Sequence, residues 1–142
     1  MVKLSPNVTS IVDIARAAAD NGVDSLALVN TFLGMSIDIK TRRSHTFRKY
    51  AGLSGPAIKP LALRQVHEVF NAVKIPVVGM GGISCWQDAA EFMIAGAALV
   101  QVGTATLSDP LSMPKIIKGL ADFCRENAIK NISELTGSFK EA

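Results

Sequence analysis

Four short apolar runs punctuate the chain, separated by longer stretches of helical periodicity. Residues 1–5 (MVKLS), 25–30 (SLALVN), 76–80 (PVVGM) and 98–102 (ALVQV) are long enough for buried strands and too short for helices. Between them apolar positions recur at three- and four-residue steps. Residues 10–21 put Ile11, Val12, Ile14, Ala15 and Ala18 on one face, with Thr9 as the expected cap. Gly22 suits the left-handed position just past that helix. Residues 61–73 repeat the pattern with Leu63, Val66, Val69 and Phe70 inward. A third helix opens with Ser84 as expected N-cap and Asp88 near its first turn; it carries Ala89, Phe92, Met93 and Ala97 and stops at Gly96. The last runs to about Glu126, capped by Ser112 with Pro114 near its start, and turns Ile116, Ile117, Leu120 and Phe123 inward. Residues 131–142 predict a short helical turn and a frayed tail.

A helix intervenes between each strand and the next, so the strands run parallel. Strand starts near Val2, Ser25, Pro76 and Ala98 are spaced by 23, 51 and 22 residues. The regular spacing is one βα unit, and the middle unit exceeds it by about 28 residues (51 minus 23), an insertion running from Thr31 to about Pro56. It follows the C-terminal end of a strand, where the active-site loops of such sheets sit. Within it, residues 36–40 alternate and predict a small strand. Four βα units are half of an eight-stranded β/α barrel, which needs about 250 residues. The fold class expected is therefore α/β, half of a (β/α)8 TIM barrel, with residues 1–142 as one domain. Residues 2–5 and 98–102 then form open edges with unpaired ladder groups. A doubly wound open sheet is the alternative, but the chain lacks the Gly-rich first βα turn of dinucleotide-binding folds.

Gly81-Gly82 follows the third strand at once, and Gly103-Thr104 follows the fourth. In a β/α barrel, the loops after the last two strands hold a phosphate because glycine lets backbone N–H groups close around it. The same glycines would also serve tight turns alone. Two glycine turns at matched strand ends, one βα period apart, favour phosphate. Lys3 sits in an otherwise apolar strand, on one face with Met1 and Ser5; it either meets an anionic ligand or reaches solvent at the strand end. Asn30, with Val29 and Thr31, closes the second strand. Its amide matches the edge of a pyrimidine or flavin, or caps its own turn. Gly55 would let backbone approach a flat ligand, or serve the turn at Pro56.

Charge and composition narrow the picture. The formal charge of +3 comes largely from the exposed run Lys40, Arg42, Arg43, His45, Arg48 and Lys49, which reads as a solvated loop and does not argue for nucleic acid. No apolar run approaches a membrane span. His45 and His67 have no positioned acid nearby. Cys85 and Cys124 lack metal-like spacing, so no metal site is expected and a cytoplasmic, reducing setting is the default.

The segments VKLSPNV, LVNTFLGMSIDIKTRR, AGLSGPAIKPLALR, IPVVGMGGI and VQVGTA, in this order, resemble the C-terminal half of the dihydroorotate dehydrogenases, most closely the class 1B catalytic subunit. The related dihydropyrimidine dehydrogenase module shares the Ser-Gly-Pro-Ala and Gly-Gly elements but differs in the loop after Asn30-Thr31. The resemblance implies FMN at the C-terminal face of the barrel. Gly81, Gly82, Gly103 and Thr104 would hold its phosphate, Val29 and Gly55 would line its ring system, and Lys3 would meet the pyrimidine end. Asn30 and Thr31 would bond dihydroorotate or orotate, the substrate and product of a step in pyrimidine biosynthesis. The resemblance also implies an iron–sulfur flavoprotein as electron-transfer partner. It implies a catalytic cysteine in the other half of the barrel, a role that neither Cys85 nor Cys124 matches. This chain is thus expected to bind FMN without catalysing turnover alone, completed by an N-terminal half-barrel or a second copy of itself.

Overall fold

The structure is a computed structural model describing residues 1–141. In chain order it contains β1 (Val2–Lys3), α1 (Ile11–Asp20), β2 (Leu26–Leu28), β3 (Phe32–Gly34), β4 (Ile37–Asp38), β5 (Arg43–Ser44) and β6 (Ala51–Leu53). After a 3-10 turn at Pro56–Ile58 come α2 (Lys59–Ala72), β7 (Val77–Met80), α3 (Trp86–Ile94), β8 (Leu99–Gln101), α4 (Thr104–Ser108) and α5 (Ser112–Glu126). A second 3-10 turn occupies Ile132–Leu135.

Strands β1, β2, β7 and β8 form one parallel sheet in that order. Val2 pairs with Leu26, Ala27 with Val78 and Gly79 with Val100. This is the half-barrel topology expected from the spacing, with β1 and β8 as its edges. β1, β2 and β8 are each shorter than their apolar runs, at two, three and three residues.

The core lies between the sheet and helices α1, α2 and α3, with Ile116 and Leu120 of α5 joining it. Leu26, Leu28, Val66, Val69, Val77 and Phe92 are essentially fully buried, each worth about 1.5–3 kcal/mol of transfer free energy. Phe92 lies against the sheet because Gly79 makes room: a Cβ there would come within 2.7 Å of the Phe92 ring. α3 and α5 meet through Trp86, which stacks on Phe123 at 5.3 Å and covers Gly119.

Several helix starts differ from expectation. Ser10, not Thr9, caps α1, its Oγ accepting from Asp13 N at 3.2 Å. Ile14 and Ile117 lie at the flanks of their helices and are exposed. α2 starts earlier, at Lys59, because Pro60 fits its first turn. Cys85, not Ser84, is the N-cap of α3, because the Asp88 carboxylate reaches back to its N–H at 3.2 Å. At α5 the cap position is Leu111, and Asp109 organises the entry by accepting from Leu111 N and Ser112 N. The tail is docked rather than frayed: Gly137 N donates to Met93 O and Phe139 N to Ile94 O, and the Phe139 ring meets His67 edge-on. Ala142 lies outside the described residues. His67 is held by the carbonyl of Ala95 and by Asn71, a structural role.

The insertion doubles back on itself. β3 and β6 pair antiparallel, Phe32 opposite Leu53, and β4 pairs with β5, Ile37 opposite Ser44. The small strand expected at 36–40 is thus confined to Ile37–Asp38, and Asp38 turns the chain by accepting from Lys40 N and Thr41 N.

Candidate functional site

A cleft of about 410 Å³ opens at the C-terminal ends of the four parallel strands. Lys3, Val29, Asn30, Thr31, Gly55, Gly81, Gly82, Gly103 and Thr104 all line it. Residues from five separate stretches of chain therefore meet in one place.

Each wall follows from local structure. Lys3 ends β1; its side chain is exposed, not buried, and it has no carboxylate partner among the described residues. Val29 is buried, and its N–H donates to Met80 O, which ties the end of β2 to β7. Asn30 Oδ1 accepts from Thr31 N at 2.9 Å, as a turn residue would, while its amide nitrogen has no hydrogen-bond partner among the described residues. Thr31 is held from behind. Asn7 Nδ2 donates to Thr31 O and Asn7 Oδ1 accepts from Leu33 N, both at 2.9 Å. Gly52 leaves space for the Thr31 side chain; a Cβ there would come within 2.5 Å of Thr31 Oγ1.

The glycine turns form the opposite wall. Gly81 and Gly82 take positive φ of 125° and 82°, a region that favours glycine. Gly82 lies against the Lys59 backbone, where a Cβ would be 2.7 Å from Lys59 N. Gly103, at the start of α4, has nothing within 4 Å of where its Cβ would be, so the cleft stays open above it. The backbone N–H groups of Gly82, Gly103 and Thr104 donate to no acceptor among the described residues. Thr104 Oγ1 donates to Ser54 Oγ at 2.9 Å, which joins the end of the insertion to this wall.

The electrostatics suit an anion. The one carboxylate lining the cleft, Asp109, is engaged by Lys115 at 2.6 Å and by the Leu111 amide, which hold it below the usual carboxylate range. Free donors, with Lys3 opposite, leave the remainder of the cleft receptive to negative charge. Cys85 and Cys124 are free thiols and neither lines the cleft. Among the described residues no cluster of three or more His, Cys, Asp or Glu could hold a metal ion, and no helix is long and apolar enough to cross a membrane.

Sequence reasoning missed Ser54, Ser84 and Ser112 as lining residues. Single serines in loops carry no pattern that marks them. It also missed Lys59, which pairs with Asp88 at 2.8 Å across 29 positions. The Asp88 end was legible as a helix-start acid; its partner was not.

Fold and site together define a class: half of a parallel β/α barrel with an anion-receptive cleft at its strand ends. The chain belongs to the dihydroorotate dehydrogenase family, whose profile matches residues 1–124. It is 50% identical over 138 residues to the catalytic subunit of dihydroorotate dehydrogenase B (NAD(+)) of Parabacteroides distasonis, a match covering 97% of this chain and 45% of that protein. It is 52% identical over 141 residues to the same subunit of Thermodesulfovibrio yellowstonii, covering 99% of this chain and 46% of that one. Among solved structures, DHODH of Eimeria tenella in complex with ferulenol superposes with a TM-score of 0.79 at 26% identity, covering 96% of this chain and 37% of the other. The chain spans about half the length of the curated relatives it matches.

Proposed function

We propose that this chain is the FMN-phosphate-binding half of a cytoplasmic dihydroorotate dehydrogenase, which oxidises dihydroorotate to orotate in pyrimidine biosynthesis. The observation that carries the proposal is the gathering of nine residues from five separate stretches of chain around one cleft. The residues fit the cofactor. Free backbone donors at Gly82, Gly103 and Thr104 match a phosphate, and the space above Gly103 is one a side chain would fill. Gly81 belongs to the same cradle. Val29 and Gly55 would line the flavin ring, and Lys3 would meet its pyrimidine edge, where an ammonium favours negative charge. Asn30 and Thr31 would orient dihydroorotate or orotate through the free amide and hydroxyl. FMN would accept the hydride; this chain binds, orients and neutralises charge. With both thiols away from the cleft, it offers no cysteine base there.

The test is to titrate the chain with FMN and record the flavin absorbance and fluorescence. A shifted spectrum and quenched emission are expected; a spectrum identical to free FMN rejects the proposal. Adding dihydroorotate to the loaded chain is expected to leave the flavin oxidised, because proton abstraction needs a positioned base.

A second reading concerns assembly. Leu99 on β8 is 66% exposed and Val2 on β1 is 40% exposed, both on strands with one free ladder side. These edges suit pairing with an N-terminal half-barrel or a second copy of this chain. The name catalytic subunit borne by the relatives fits an electron-transfer partner such as an iron–sulfur flavoprotein.

A further inference from the structure

Behind the Gly81–Gly82 turn, outside the cleft, sits a charge cluster that the reading above does not use. Lys59 Nζ donates to Asp88 Oδ1 at 2.8 Å and lies 3.0 Å from the Glu91 carboxylate. Asp88 is only 6% exposed. Its other oxygen, Oδ2, accepts from Ser84 N at 2.8 Å, Ser84 Oγ at 2.9 Å and Cys85 N at 3.2 Å. Burial alone would push this carboxyl up, but Lys59, Ser84 and Cys85 outweigh it and hold it well below the usual range. A carboxylate so shielded from water is tolerable only with its oxygens fully engaged.

The engagement has a direction. Both Oδ2 backbone donors belong to the segment that leaves the glycine turn. The Lys59 backbone abuts Gly82 from the other side, at 2.7 Å and 2.9 Å from the place a Cβ would take. Lys59 thus backs the turn with its main chain and reaches Asp88 with its side chain, while Asp88 holds the turn's exit. The circuit closes around residues 81–85, and neither Lys59 nor Asp88 lines the cleft.

From this circuit we infer that Lys59 and Asp88 are positioning residues that fix the β7 turn amides at the spacing a phosphate monoester requires, without touching the ligand. The inference rests on the phosphate reading proposed above. Rigid, preorganised donors bind an anion more tightly than mobile ones because less ordering remains to be done on binding. The rival account is simple attraction between the Lys59 charge and the phosphate. The two differ in sign. Asp88→Asn removes a negative charge beside the turn and leaves Lys59 with Glu91 as its carboxylate partner, so attraction predicts tighter phosphate binding; loss of positioning predicts weaker binding. Lys59→Gln weakens binding on either account.

The experiment measures dissociation constants for FMN and for riboflavin, which lacks the phosphate, by flavin fluorescence on the full chain. Amide exchange at Ser84 and Cys85 is followed by NMR in the unliganded protein. The preference for FMN over riboflavin is expected to fall about tenfold in both Asp88→Asn and Lys59→Gln, with riboflavin affinity changed by less than about twofold. Exchange at Ser84 and Cys85 should accelerate, and Lys59→Arg should restore most of the preference. Should either variant fail to fold, Glu91→Gln loosens Lys59 more gently and is expected to reduce the preference about two- to threefold. Tighter FMN binding by Asp88→Asn, equal losses for both flavins, or an unchanged preference overturns the positioning role. A wild-type chain that binds both flavins alike overturns the phosphate reading instead, a different and separable result.

Discussion

Thr104 and Ser54 are 50 residues apart in sequence, and their hydroxyls meet at 2.9 Å across the mouth of the cleft. Thr104 begins α4 just after β8, and Ser54 lies immediately beyond β6 at the end of the insertion. The bond therefore joins two walls that no backbone ladder connects. Both residues are exposed, so its net worth is at most about 0.5–1.5 kcal/mol. Thr104→Val and Ser54→Ala are each expected to change the melting temperature little and to weaken FMN binding. The double variant should bind no worse than the poorer single one, because the second substitution removes a partner already lost. Strictly additive losses in a fluorescence titration would show that the two hydroxyls act separately.

The Lys59–Asp88 pair predicts an acid-sensitive fold. Asp88 has a folded pKa below its unfolded value of 3.8, despite burial acting the other way, because Lys59, Ser84 and Cys85 favour the carboxylate. A depressed pKa contributes stability that is complete above the unfolded value and is lost as pH falls through the folded one. Lys59 has the opposite sign: Asp88 raises its pKa above 10.5 against the effect of burial, with Glu91 adding to the rise. Its contribution is complete below 10.5 and lost at higher pH. Urea unfolding of the wild type should thus show stability dropping below about pH 4. Asp88→Asn, costing about 1–3 kcal/mol at neutral pH, should flatten that acid limb. An acid limb of unchanged steepness in Asp88→Asn would assign it to other carboxylates.

The sheet and its helices were legible because their signals are local. An apolar run such as PVVGM and a helical stripe such as Val66 and Val69 state their own burial. The glycine turns were legible for the same reason: Gly81-Gly82 directly abuts a strand. What was not legible depends on distant partners. Phe32–Gly34 and Ala51–Leu53 become strands only by pairing with each other, and neither alternates strongly alone. Thr9 and Ser10 are both acceptable caps, and only the backbone direction selects Ser10. Ser84 yields the cap position to Cys85 because Asp88 serves both N–H groups at once. The docked tail depends on the Met93 and Ile94 carbonyls at the end of α3, which no pattern in the tail sequence announces.

The open strands bear on how the chain behaves in solution. β1 and β8 each leave one ladder side unpaired, and Leu99 adds an exposed apolar side chain to one edge. Light scattering is expected to show mass rising with concentration. Leu99→Lys, which places a charge on the edge, should shift the population toward monomer. A clean monomer across the whole concentration range would count against edge pairing.

Gly82 and Gly103 are expected to respond in opposite ways to the same substitution. Gly82 combines a φ of +82° with contact to the Lys59 backbone, so an alanine there is strained in its own dihedral and pressed against main chain that cannot move aside cheaply. Gly82→Ala should destabilise the fold by about 1–3 kcal/mol. Gly103 has a negative φ of −112° and nothing within 4 Å of the added carbon. Gly103→Ala should therefore leave the melting temperature within about a degree or two of wild type. The new methyl would project from a residue whose free N–H faces the proposed phosphate position, so FMN binding should weaken while riboflavin binding is spared. Calorimetry and a paired flavin titration separate the two effects. If Gly103→Ala folds normally and binds FMN as tightly as wild type, the phosphate does not sit at that turn.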